Sequence, residues 1–212
     1  MELAKQTQKS FIFCIIGLAL ISYRAISSIL GSLHTFLSFG LSLDFWMLNH
    51  FIVMPVFYLL FAFVFLTMFF GMVNVINKDQ FFAAFKSLAL GMLLITLIVG
   101  MLQALGYLRF VFLGGDIEIR QIAVFSIQIF SQLFIALAVT SRAFKNMRYL
   151  FEPLFGLALA FNVLMIFIII IPGYFYGDGF IGIRAIVPHI LYIITWICFY
   201  FSSQWVLEHG ES

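Results

Sequence analysis

A single arginine, Arg24, interrupts the apolar run from Phe11 to Phe36. A guanidinium stays charged and offers five N–H donors in a planar fork that matches a carboxylate or a phosphate. As a helix the run places Arg24 about 20 Å beyond Phe11, too deep for its side chain to reach back comfortably to an interface. If the run crosses a bilayer, such a charge costs about 2.5 to 3.5 kcal/mol unless a partner or water meets it. No Asp or Glu stands at comparable depth elsewhere in the chain, and the polar residues that do are neutral: Gln103, Gln128, Gln132 and Asn162. Three readings of Arg24 follow: a structural hydrogen-bonding hub, a contact for an anion or polar substrate, or a pair with an acid of another subunit. Helical spacing sets Gly17, Arg24, Ser27 or Ser28, Gly31 and Thr35 along one small, polar face, which suits close helix packing as well as a cavity.

His34, His50 and His189 form a second candidate constellation, since three imidazoles at one depth can ligate a metal and two from separate helices can hold haem. They come from three different apolar runs and their spacing follows no metal motif, so interfacial or hydrogen-bonded histidines are the plainer reading. Cys14 and Cys198 lie within apolar runs and read as small packing residues. The chain has no Cys-x-x-Cys, no His-Glu-x-x-His, no Gly-x-Ser-x-Gly, no phosphate-binding glycine loop and no pair of mid-run aspartates. These absences lean away from an enzyme. A lipid-acting enzyme built from scattered polar residues stays open, because no motif reports such a site.

The elements that must position these residues follow from composition. Of 212 residues 64% are hydrophobic and 9% charged, where an average soluble domain has about 45 to 50% and about 25%. A water-facing shell cannot be built from that, whereas a bilayer accepts an apolar exterior. Six apolar runs can be marked, at 11–36, 45–75, 87–113, 122–140, 150–174 and 183–206. At about 20 residues per span they nearly exhaust the chain. The expected fold is an all-α bundle of six transmembrane helices forming one domain over 1–212. A net charge of +2 gives no argument for nucleic acid.

Basic residues orient the bundle. Lys5, Lys9, Lys78, Lys86, Arg142, Lys145 and Arg148 fall on the side of the amino terminus, and only Arg109, Arg120 and Arg184 on the other. Seven against three places both termini in the cytoplasm by the positive-inside rule. Lys5 and Lys9 ahead of an apolar core resemble a signal peptide, but the apolar run continues to Phe36, which favours a retained first span. Gly115-Asp116 and Gly177-Asp178 recur after the third and fifth runs, and ordinary turn chemistry explains them. Glu152-Pro153 reads as a helix start, while Pro55 and Pro188 are candidate kinks. The 29 phenylalanines read as packing and lipid-facing side chains.

The function expected from these residues is that of a small transporter, or a subunit of a larger membrane transport complex, in a bacterial inner membrane. Its partners would be membrane lipids, a small or amphipathic ligand, and further subunits or copies of itself. The alternatives are a haem- or metal-binding redox subunit and the lipid-acting enzyme.

Overall fold

Backbone N–H and C=O groups find no partners in hydrocarbon, so apolar runs of this length close their hydrogen bonds internally as helices. A computed structural model describes the backbone over residues 2–39, 53–112, 119–175 and 179–209, and side chains over 7–34, 36–37, 53–102, 104–105, 126–167 and 186–209. Among them are six long helices: α1 (Glu2–Phe39), α2 (Met54–Met72), α3 (Lys78–Phe112), α4 (Ile119–Ala143), α5 (Phe151–Phe175) and α6 (Gly179–His209). All six are long and apolar enough to cross a membrane. The protein is a multi-pass integral membrane protein.

Hydropathy and helix boundaries part company where caps decide the ends. The third helix starts at Lys78, well before the apolar run at Ser87. Asn77 and Gln80 form a reciprocal capping box: Gln80 N–H donates to Asn77 Oδ1 at 2.8 Å, and Asn77 N–H to Gln80 Oε1 at 3.2 Å. Just upstream, Asn74 takes a left-handed φ of 56° and closes α2. Its N–H donates to Gly71 O at 3.1 Å and that of Val75 to Phe70 O at 2.9 Å, the paired bonds of a Schellman end. Lys86 consequently lies on a helix and not in a connection, with its ammonium 5.8 Å from the Phe144 ring centroid. Glu152 stands in the first turn of α5, as read from the sequence, after a short 3-10 helix over Lys145–Leu150. Pro55 occupies the first turn of α2, and Pro188 lies inside α6. The Gly-Asp pairs of the connections fall outside the described residues.

Consecutive helices pack on one another and α6 returns to α1, so the six form a closed ring in chain order. α6 also reaches α2 and α4 and is the most central helix. The half of the bundle nearest the described ends is filled by aromatic rings. Phe57, Phe61 and Phe65 recur every four residues on α2 and are fully buried with Trp196 and Phe199 of α6 and Phe151 of α5. Trp196 and Phe199 stack at 5.1 Å with an interplanar angle of 8°, Phe61 meets Phe199 at 5.6 Å, and Phe155 meets Trp196 at 5.3 Å. In lipid the hydrophobic effect gives helices little reason to associate, so close packing and such ring contacts, about 0.5 to 1.5 kcal/mol per pair, hold the bundle.

Gly17 shows how close that packing is. A Cβ there would fall into the Phe65 ring. This glycine lies about two turns before Arg24 on the same side of α1, where it lets α2 approach closely.

Candidate functional site

Next to the aromatic layer, polar side chains of several helices meet. There a cavity of about 450 Å³ opens, lined from α1 by Arg24, Ser27, Ser28, Gly31 and Ser32, and from α2 by Met54 and Tyr58. α4 contributes Gln128, Ser131 and Gln132, α5 contributes Asn162 and Met165, and α6 contributes His189 and Tyr192. Each helix presents its liners at intervals of three or four residues, the spacing that keeps side chains on one face. The third helix contributes none among the described residues.

Arg24 is the one Lys, Arg, Asp or Glu among these liners. Its guanidinium carbon lies 5.3 Å from the Tyr58 ring centroid, a cation–π contact. Tyr58 in turn meets Tyr192 edge to face at 5.6 Å. A cation–π contact contributes about 0.5 to 2 kcal/mol, which offsets only part of the cost of a deep arginine. Arg24 Nε and the Tyr192 hydroxyl are buried without a hydrogen-bond partner among the described groups.

The amides are partnered unevenly. Asn162 Nδ2 donates to Ser131 Oγ and to Ala158 O, both at 2.7 Å, and so ties α5 to α4. Gln132 and Gln128 turn their amide nitrogens toward the thioether of Met54. Sulfur here can only accept, and accepts weakly, so these donors are poorly used. Arg24 brings donors only, and the cavity has no carboxylate among its described liners.

The sequence-predicted residues divide as follows. Arg24, Ser27, Ser28, Gln128, Gln132 and Asn162 meet around one cavity, and His189 joins them. Gln103 lies on α3, but its side chain is outside the described residues. Of the other two histidines, His34 is exposed on α1 and does not line the cavity, and His50 lies outside the described residues. Among the described residues no group of three or more His, Cys, Asp or Glu side chains is gathered to hold a metal ion. Sequence reasoning missed Tyr58, Tyr192, Met54, Met165 and Ser131. Ser131 between Gln128 and Gln132, and Tyr192 one turn beyond His189, carried a signal in their spacing. The methionines and Tyr58 carried none, being ordinary residues of an apolar span.

A second buried cation marks the opposite end. Arg142, 3% exposed, lies with its guanidinium carbon 3.4 Å from the Phe151 ring centroid and reaches Glu152 at 3.7 Å. Ser141, Ser202 and Ser203 are buried in the same tier. Trp196, Phe199 and Phe151 separate this tier from the cavity.

Compared with known proteins, the chain matches no family model, no curated protein and no solved structure.

Proposed function

We propose that this protein is a small transporter, or the solute-binding subunit of a larger membrane transport assembly, and that it holds its solute in the cavity around Arg24. The observation that carries this reading is convergence: five helices direct a deep arginine, hydroxyls and amides toward one cavity in an otherwise apolar bundle. A bundle needing only structural polar contacts would spend those donors on one another. Here, among the described residues, an arginine nitrogen and a tyrosine hydroxyl lack hydrogen-bond partners, and two amides point at a thioether.

The cavity lies in the half of the bundle away from the described ends, and aromatic rings close it toward them. With the basic residues concentrated at those ends, the positive-inside rule assigns that side to the cytoplasm, so the cavity lies in the outer half. A bacterial inner membrane fits this arrangement. Crossing the membrane then requires Trp196 and Phe199 of α6 to part from Phe61 of α2 and from Phe151 and Phe155 of α5.

Removing the guanidinium tests the proposal. The protein is purified in mild detergent and retained small molecules are identified by native mass spectrometry. The wild type is expected to retain a stoichiometric solute and Arg24→Ala to lose it, while insertion and helical content are preserved. Full solute retention in Arg24→Ala overturns the reading.

A further inference from the structure

The lone arginine of the cavity also bears on what it binds, an inference that rests on reading the cavity as a solute site. We infer that the solute is an organic monoanion with an apolar body: one carboxylate seated on Arg24, and an alkyl or aryl part against the methionines and tyrosines.

Charge argues for a single negative group. Arg24 is the sole fixed positive charge among the described liners, so no second Lys or Arg among them balances a second anionic group, and no carboxylate among them would welcome a cation. A guanidinium whose Nε lacks a hydrogen-bond partner among the described groups gains most from one oxyanion, through charge-assisted hydrogen bonds roughly twice as strong as neutral ones. Donor chemistry argues the same way. Gln132 and Gln128 exchange a poor acceptor, the Met54 sulfur, for a better one when a carboxylate oxygen arrives. An ammonium cation would instead face N–H groups from which it cannot accept.

Size and wall argue against a bare inorganic ion. At about 450 Å³ the cavity falls within the range of sites for small organic molecules, roughly 300 to 1,000 Å³. Beyond the polar groups its walls are the thioethers of Met54 and Met165 and the rings of Tyr58 and Tyr192. Thioethers adapt to irregular apolar shapes and pack favourably against rings. The polar head and apolar body of the ligand therefore have separate places to sit.

Equilibrium dialysis against the full chain in phosphatidylcholine nanodiscs, with empty nanodiscs as the blank, tests this. The probes are three monocarboxylates (phenylbutyrate, octanoate and indoleacetate), the matched cation phenylbutylamine, and the trianion citrate. Saturable binding of at least one monocarboxylate at one per chain is expected, with phenylbutylamine and citrate failing to compete. Arg24→Gln is expected to weaken it by about ten- to a hundredfold, the loss of one charge-assisted contact. Should Arg24→Gln not fold, Arg24→Lys keeps the charge without the fork and is expected to retain the preference for carboxylate over amine. Absence of saturable monocarboxylate binding, equal binding of the amine, or binding unchanged in Arg24→Gln overturns the inference. Adding phosphatidylglycerol distinguishes a lipid source: if it displaces the monocarboxylate at one per chain, the anion is a lipid headgroup and the soluble-acid assignment fails. A cationic or inorganic solute that copurifies with wild type and is lost in Arg24→Ala would sink this inference while leaving the solute-site reading intact.

Discussion

Two arginines inside one bundle, Arg142 buried and Arg24 half-buried, have different surroundings, and the difference predicts different mutational behaviour. Arg24 lines a cavity and contacts one tyrosine ring, whereas Arg142 is packed tightly over Phe151 with an exposed carboxylate beside it. Arg142→Ala removes a desolvated cation–π contact and is expected to cost about 2 kcal/mol. Arg142→Met refills most of the volume and is expected to cost less. Because the Glu152 side chain is 62% exposed, Glu152→Gln is expected to change stability little. Thermal unfolding of the three variants in one detergent checks the order; a larger loss for Glu152→Gln than for Arg142→Ala would show that the ion pair, not the ring contact, carries the stability.

At the level of helices, the α1–α2 contact depends on the absence of one side chain. Gly17→Val drives a branched Cβ into the Phe65 ring, and overpacking of this kind costs about 1 to 3 kcal/mol. Trimming the obstacle should restore part of the loss, so Gly17→Val with Phe65→Ala is expected to be less unstable than the sum of the two single changes. A strictly additive double mutant, measured by thermal unfolding, would mean the two residues do not meet. The α2–α3 connection makes a milder prediction. Asn77→Ala removes an N-cap and is expected to cost about 1 kcal/mol, with Asn77→Ser close to neutral.

For the molecule as a whole, the described part of the six-helix ring carries a polar cavity, an aromatic layer beside it and the Arg142 tier beyond that layer. In a variant with Cys14 and Cys198 replaced by alanine, a cysteine at Ser28 is expected to react with a membrane-impermeant thiol reagent added outside cells. A cysteine at Lys145 is expected to react only after the membrane is opened. The reverse pattern would invert the orientation and turn the cavity toward the cytoplasm. If the cavity opens alternately to the two sides, Trp196→Ala should raise labelling of the Ser28 cysteine from the cytoplasmic side, because it removes the ring stacked on both Phe155 and Phe199.

Composition and local pattern alone determined that the chain is a six-span helical membrane protein, that Arg24 lies deep, and which residues are polar enough to meet it. These are properties of each segment against its solvent, and they add along the chain. The start of α3 was missed, because the Asn77–Gln80 cap opens the helix well ahead of the apolar run at Ser87. Only the tertiary structure decided which polar residues share a space: Gln128, Gln132, Asn162 and His189 join Arg24, Gly17 turns to Phe65, and His34 faces outward. In water, an amphipathic period shows which side of a helix faces inward. In lipid, both sides are apolar, so rotation and neighbour choice are left to the fit of side chains of nearly equal hydropathy, and that fit exists only once the helices meet.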